Sequence, residues 1–218
     1  MNTNVYIYCE GQTEEAFANE VLAPYFWNCG IYVRPIICET KRTETRKTKG
    51  GVSNYHKIKK ELSALCKEHS GELVTTMFDY YAMPKETPGI NSSDSDIFER
   101  IEKIENAVNC DIGSPNCKFH FMLHEFEGIL FSKPESFSIF GDERIINEVR
   151  KIKNSFATPE HINNSHETAP SKRLKSLIPG YAKVTNGILL AKDMGIDVIM
   201  SECPHFKKWI KDIVCKFS

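Results

Sequence analysis

The sequence lacks the features of a membrane, secreted or repetitive protein. No apolar run reaches the roughly 18 residues that a bilayer span requires, and the first residues, Met-Asn-Thr-Asn, form neither a basic segment nor a cleavage site. These absences predict a soluble, cytoplasmic protein without a membrane partner. Internal repeats and low-complexity segments are also missing, and 41% hydrophobic residues are enough for a real core.

The chain has almost no net charge. Its 28 Lys and Arg residues nearly balance 29 Asp and Glu residues, which gives a formal charge of -1. A protein that binds nucleic acid by electrostatics alone is usually strongly basic, so the balance argues against that class. An enzyme with an acidic metal site and a basic rim would give the same total.

Closely spaced cysteine pairs are absent as well. The chain has eight cysteines but no Cys-x-x-Cys motif, and several lie inside apolar stretches, as Cys9 and Cys38 do. This pattern favours reduced and mostly buried thiols. The alternative is a structural zinc site assembled from scattered Cys and His residues.

Hydrophobic patterning predicts strands that alternate with helices over roughly the first 130 residues, followed mainly by helices. We therefore predict an α/β fold with a mostly parallel four-stranded sheet flanked by helices. Residues 1–132 would form the core, and residues 133–218 a helical C-terminal extension packed on it. The predicted strands are 4–9, 31–38, 72–78 and 119–123, and the later helices are 142–155, 169–177, 185–194 and 204–217.

Acidic residues follow three of these predicted strands. Because parallel strands open a crevice at their C-terminal ends, such residues would lie close together. Carboxylate oxygens are the ligands that Mg²⁺ prefers, so the sequence predicts a divalent-metal site. Its metal ligands would be Glu10, Glu14, Asp79, Glu125 and Glu127.

Other interpretations of these acids stay open, because an acid after a strand is often a cap or a solvated group. Thr13 is a plausible N-cap for the first helix. If residues 125–127 are extended, Glu125 and Glu127 point to one side; alternatively, Glu127 is a first-turn helix acid. His124 could be a base, a ligand or a structural histidine.

Basic residues that could contact phosphates occur in two regions. Lys172 and Arg173 follow Pro170 at a predicted helix start, and Lys183 follows ten residues later. Arg42 and Lys47 belong to a polar loop that could clamp a nucleic-acid backbone. All could instead be solvated surface charges. His205 and Trp209, near the C-terminus, would pack in the core or pair with a partner chain.

Several motifs together resemble a known family. Glu10-Gly11-Gln12-Thr13-Glu14 resembles the opening of Toprim domains, especially those of OLD-type nucleases. The full set resembles a bacterial Toprim-like family of unknown function whose members accompany ABC-type ATPases in mobile defence systems. The other motifs are Phe78-Asp79-Tyr80-Tyr81-Ala82-Met83-Pro84, His124-Glu125-Phe126-Glu127, Pro159-Glu160-His161-Ile162-Asn163, Pro170-Ser171-Lys172-Arg173 and Cys203-Pro204-His205-Phe206.

This resemblance implies a Toprim-type fold that binds Mg²⁺ (or Mn²⁺) through a Glu after strand one and an Asp-x-Asp pair. Glu10 and Asp79 match the family pattern, but Tyr81 occupies the place of the second acid. Glu125 or Glu127 would then substitute for that acid, or the metal site is weaker than in active nucleases.

The leading hypothesis is a metal-dependent nuclease that cuts DNA or RNA beside an ABC/OLD-type ATPase in defence. Its catalytic set would be Glu10, Asp79, Glu127 and Lys183. The rival is a non-catalytic module that senses or regulates the ATPase, and a nucleotide phosphohydrolase is a third hypothesis. The oligomeric state, a homo-oligomer included, stays open.

Overall fold

The computed structural model describes residues 3–38, 54–163 and 168–217. Arg42 and Lys47 lie outside the described residues. Within them, β1 (Thr3–Cys9), β2 (Ile31–Ile37) and β3 (Leu73–Asp79) are the long strands, and β4 (Cys117–Lys118) and β5 (Phe121–Met122) are short. The order is β2-β1-β3-β4, β5 also pairs with β3, and every pairing is parallel. The α/β prediction with a mostly parallel sheet is confirmed.

The predicted strand at residues 119–123 is wrong in detail, because only β5 lies within that range and the short strand β4 precedes it. Between them, the Thr76 hydroxyl takes the place of a ladder partner for His120. It accepts from the His120 N–H and lies 2.8 Å from the His120 carbonyl oxygen. The N–H of Phe121 donates instead to the Glu105 carboxylate at 2.8 Å. Side chains thus satisfy backbone groups that the sequence pattern assigns to a ladder.

The helical segment after β1 changes its winding in the middle. α1 (Gln12–Phe17) leads into a π-helical turn (Ala18–Leu22) and then α2 (Ala23–Trp27). Pro24 lies at the start of α2, and a proline lacks an N–H and clashes with the carbonyl one turn earlier. The wider π turn accommodates this proline.

Two hydrophobic clusters, one on each face, enclose the sheet. Residues of β1 divide with the strand period of two: Val5 and Ile7 belong to one cluster and Tyr8 to the other. α3 (Tyr55–Glu68) and α4 (Ile97–Ile112) cover the Tyr8 face. Both helices begin at capping side chains, those of Asn54 and Asp96.

The other face carries the helices of the C-terminal part. Phe206 and Ile213 there join the same buried cluster as Val5 and Phe17, so the described C-terminal helices share a core with the first part of the chain. The two-part division stays a prediction. The elements are α5 (Glu143–Asn154), α6 (Pro170–Leu177), a π-helical turn (Lys183–Gly187), α7 (Ile188–Met194), α8 (Ile196–Glu202) and α9 (Pro204–Lys216), with 3₁₀ helices at Tyr80–Ala82, Phe126–Phe131, Pro134–Phe140 and Pro159–His161.

No helix among the described residues is long and apolar enough to cross a bilayer. All eight cysteines are free, and Cys9, Cys38, Cys66 and Cys203 are buried.

Candidate metal centre

The first strand ends in a glutamate that reaches across to the neighbouring strand. The backbone N–H of Glu10 continues the ladder by donating to the Met77 carbonyl at 3.0 Å. Its side chain then turns toward the end of β3, where one carboxylate oxygen accepts the Asp79 N–H at 3.0 Å. Glu10 and Asp79 are both buried, with 6% and 9% of their surfaces exposed. Parallel pairing therefore joins the two acids, as the strand-end pattern predicts.

Asp79 links β3 to the chain segment that follows β5. Its Oδ1 accepts the Phe126 N–H at 2.8 Å. Burial raises the pKa of Asp79 well above its ordinary value, and the nearby carboxylates of Glu10 and Glu14 raise it further. Lys183 acts in the opposite direction. These surroundings favour the protonated form of Asp79.

A tight turn at His124 directs the next acids into the same region. His124 has a φ of 62°, and the Glu125 N–H donates to the Leu123 carbonyl at 2.8 Å, so the three residues form a γ-turn. A positive φ at a bulky residue is uncommon and strained. This turn places Glu125 in extended conformation directly before the 3₁₀ helix Phe126–Phe131.

Glu127 therefore lies in the first turn of a helix, and the extended arrangement of residues 125–127 is wrong. The side chain of Glu127 is fully buried, and Oε2 accepts from the Lys183 ammonium at 2.9 Å. Burial raises the pKa of Glu127, and Lys183 opposes the rise. Although burial disfavours the charged ammonium, the carboxylates of Glu127 and Asp79 raise the pKa of Lys183. Both members of the pair also act electrostatically on Asp79.

Glu14 approaches the same region from α1. Gly11, and not Thr13, is the N-cap of that helix, so the prediction of a Thr13 cap is wrong. Without a capping side chain, the helix start carries Glu14 and Glu15 in its first turn, where carboxylates interact favourably with the helix dipole. Glu14 is 6% exposed. The structure thus brings together the two acids that follow β1.

The N-terminus of α6 is occupied by a carboxylate of the chain itself. The Ser171 N–H donates to Glu125 Oε2 at 2.9 Å, which is the bond that a phosphate would make at this helix start. Lys172 is exposed. Arg173 donates to the Thr168 carbonyl at 2.7 Å, and its guanidinium lies 5.6 Å from the centre of the Phe156 ring. Lys183 is thus the predicted phosphate ligand whose contacts link it to the acids.

Tyr81 occupies the position of the second acid in the Toprim pattern and adds no carboxylate to the acidic cluster. Its ring is 48% exposed and lies 5.2 Å from the His124 ring. His124 itself is buried, and burial together with nearby His161 lowers its pKa to about 4. A neutral imidazole of such low pKa is a weak base, which favours a ligand or structural role.

The family comparison covers almost the whole chain. The family described as "Domain of unknown function (DUF4276)" matches residues 9–213. The chain belongs to the DUF4276 family. No curated protein and no solved structure matches the sequence. A family of unknown function is thereby confirmed, whereas the Toprim relationship and the ATPase companion stay predictions.

Tyr181 lies near the acids of this DUF4276 chain, and the sequence motifs did not single it out. It is buried, its hydroxyl has no hydrogen-bond partner among the described residues, and burial with the nearby Glu127 and Glu125 raises its pKa. The run Gly180-Tyr181-Ala182-Lys183 contains it, but a tyrosine two residues before a lysine carries no recognisable signal. Its position depends on how the π-helical turn packs on Phe126–Phe131.

The strand-end acids of this DUF4276 chain are donors of the kind that a hard divalent cation prefers. The donors are carboxylate oxygens, each with two lone pairs, so a bond to an N–H leaves capacity for a ligand bond. Glu127 Oε1 is buried without a hydrogen-bond partner among the described residues, and such an orphaned atom calls for an explanation. Mg²⁺ and Mn²⁺ accept such oxygen ligands.

Proposed function

We propose that the protein is a Mg²⁺- or Mn²⁺-dependent nuclease of Toprim type that hydrolyses phosphodiester bonds and acts with an ABC/OLD-type ATPase in defence. The observation that supports it most is the cluster of buried carboxylates, Glu10, Asp79 and Glu127, joined to Lys183 at the C-terminal edge of a parallel sheet. Burying several carboxylates together is costly unless a cation or protons compensate.

The acids of the site would have different roles, which follow from their positions. A divalent metal, when bound, supplies Lewis-acid stabilisation of the phosphoryl oxygens and a more acidic water. Asp79 and Glu127, or Glu125 in its place, would hold that metal. Glu10 lies at the strand tip and would orient or deprotonate the attacking water. The hydrogen bond from the Asp79 N–H fixes one Glu10 oxygen, so the carboxylate is held in position before the substrate arrives.

Lys183 is the group suited to contact the scissile phosphate. Its side chain is 34% exposed while its ammonium remains bonded to Glu127, so it can reach a phosphate oxygen at the edge of the site. Lys172, exposed at the start of α6, would contact a neighbouring phosphate. Together these ammonium groups would orient a DNA or RNA backbone without reading its sequence.

Cleavage by the purified protein tests this proposal. Labelled single- and double-stranded DNA and RNA would be incubated with and without Mg²⁺ or Mn²⁺, each with and without an ABC/OLD-type ATPase. We expect metal-dependent products that disappear with Glu10→Gln and Asp79→Asn and persist with Glu148→Gln, an exposed control on α5. Cleavage that persists in Glu10→Gln and Asp79→Asn would contradict the proposed nuclease site.

One observation favours a second candidate, a non-catalytic module that regulates the ATPase. Glu127 already has an ammonium partner at 2.9 Å. In addition, the exposed Tyr81 occupies the position at which the Toprim pattern has a second acid. Such a site would be complete without metal. ATPase binding and regulation that are unchanged by Asp79→Asn, in a protein that cleaves nothing, would support this candidate over the nuclease.

A further inference from the structure

A second cluster of metal-ligating side chains lies away from the strand ends. Glu105 on α4, His120 between β4 and β5, and His205 on α9 each offer one ligand atom, and these atoms all lie within 4.8 Å of one another. Three separate elements of the fold thus meet at one point. The cluster shares no residue with the acidic site and does not depend on the nuclease proposal.

We propose that Glu105, His120 and His205 form a binding site for a transition-metal ion such as Zn²⁺. His205 Nε2 lies 3.0 Å from Glu105 Oε1, and His120 Nδ1 lies 3.4 Å from the same oxygen. Ligands around a tetrahedral ion at metal–ligand distances of about 2.0–2.1 Å lie about 3.3 Å from each other. Both distances to the Glu105 oxygen are therefore close to that spacing, and the two histidine ligand atoms lie within 4.8 Å of each other.

The donor set selects the kind of metal. Two imidazoles and one carboxylate form a mixed nitrogen and oxygen site, which suits Zn²⁺, Co²⁺, Mn²⁺ or Fe²⁺ better than Mg²⁺. The His120 and His205 side chains are 3% and 9% exposed, so the imidazole donors are largely shielded from bulk water. This set differs from the Cys and His site considered from the sequence, since no cysteine belongs to the cluster.

Surrounding contacts hold the three ligands in position. The Trp209 indole stacks on the His120 ring with 4.4 Å between centroids and 2° between planes, and its N–H donates to the Thr75 hydroxyl at 2.8 Å. Glu160 accepts the backbone N–H groups of His205 and Phe206 at 2.9 Å, which fixes the start of α9. A ligand shell supported in this way is prepared for an ion.

The cluster also has an access path and an unpartnered nitrogen. A cavity of ≈190 Å³ is lined by Glu105 and His205, which leaves room for a water as a fourth ligand. His120 is 3% exposed, and Nε2, the ring nitrogen other than the Nδ1 that faces Glu105, has no hydrogen-bond partner in the described part of the chain. Buried polar nitrogens rarely lack a partner.

Two ammonium groups near the cluster have carboxylate partners outside it. Lys118 pairs with Asp212, and Lys208 lies 3.4 Å from Glu102 and 3.7 Å from Asp212. The Glu105 side chain, which is 15% exposed, supplies the negative charge that would compensate the ion.

Titration of the metal-free, full-length protein with Co²⁺ tests this site, because tetrahedral Co²⁺ has visible d–d absorption. Zn²⁺ competition and the melting temperature with Zn²⁺ would be measured in parallel, since a ligand of the folded state raises it. We expect one tetrahedral Co²⁺ per chain, as reported by the d–d absorption. His205→Gln and Glu105→Gln should weaken binding by about tenfold or more. The amide oxygen introduced by Glu105→Gln can still accept the Phe121 N–H.

Two matched controls separate this site from others. His56→Gln removes an exposed histidine on α3, and Asp79→Asn removes an acid of the strand-end site; both should bind Co²⁺ like the wild type. Binding that is equal in the cluster variants, or lost in Asp79→Asn instead, would overturn the site. If the cluster variants do not fold, the test depends on the wild-type protein alone. A wild type with no Co²⁺ d–d spectrum and no shift of melting temperature with Zn²⁺ would overturn the proposed site.

Discussion

Replacing Lys183 with methionine tests the electrostatics of the strand-end site. The ammonium bonds to Glu127 Oε2 at 2.9 Å, and Glu127 is fully buried with its second oxygen unpartnered among the described residues. Lys183→Met keeps most of the side-chain volume and removes the charge. The carboxylate of Glu127 would then be buried without its partner, and Asp79 would lose the cation that lowers its pKa.

The expected loss of stability follows from the burial of the pair. Removing one partner of a fully buried ion pair costs about 3–5 kcal/mol. Because 34% of the Lys183 side chain is exposed, solvent screens part of this cost, and we expect about 2–3 kcal/mol at pH 8. The folded-state pKa of Glu127 is raised, so its stabilising contribution is largest at acidic pH and is lost as pH rises. Lys183→Met should steepen that loss.

Urea denaturation at pH 5.5 and pH 8 measures these effects. Lys192→Met is the matched control, because Lys192 pairs with Glu20 at 3.0 Å with both side chains about half exposed, and such surface pairs contribute about 0–1 kcal/mol. The double variant Lys183→Met with Glu127→Gln should regain much of the loss at pH 8. Mg²⁺ should stabilise Lys183→Met more than the wild type, because a bound cation would replace the missing charge.

Two results would refute this reasoning. A cost of Lys183→Met no larger than that of Lys192→Met would show that the pair behaves like a surface ion pair. A loss that is the same at both pH values, and that Glu127→Gln does not relieve, would show that methionine only disturbs packing.

Three further predictions concern buried groups. Asp79→Asn keeps an acceptor for the Phe126 N–H and removes an acid whose pKa is raised, so it should gain stability relative to the wild type as pH rises from 5 to 8 in urea denaturation. Burial raises the pKa of Glu160 from an ordinary 4.5 to about 7, so its ionisation costs the folded state up to about 3 kcal/mol as pH rises through that window. Glu160→Gln should therefore flatten the pH dependence of the free energy of unfolding, and parallel curves for the variant and the wild type would contradict this. Trp209→Phe removes the bond to the Thr75 hydroxyl and should cost about 1–2 kcal/mol in the free energy of unfolding, whereas an unchanged midpoint would contradict that bond.

The strand-end acids could be predicted because the relevant signals are local. β-branched and aromatic runs mark β1 and β3, and parallel strands place the residues that follow them at one edge. Glu10 and Asp79 are joined there as expected. The conformation after β5 could not be predicted in this way, since a γ-turn at His124 converts an apparent alternation into a helical turn at Glu127.

The second cluster had no signal in the sequence. Glu105, His120 and His205 are far apart along the chain and share no motif spacing, and they meet because α4 and α9 pack beside the same short strands. His205 was expected to pack or to pair with a partner, and it is buried against His120. Tertiary packing, which periodicity does not encode, decided this arrangement.

Calorimetric titration with Mg²⁺ is the decisive experiment for a metal site at the strand ends. Mg²⁺ favours carboxylate oxygens over imidazoles, so the Glu105 cluster should contribute little heat. We predict saturable binding by the wild type and by the exposed control Glu148→Gln, and its loss in Glu10→Gln and Asp79→Asn. Absence of Mg²⁺ binding by the wild type, or binding unchanged in both of the last variants, would contradict a metal site built from these acids.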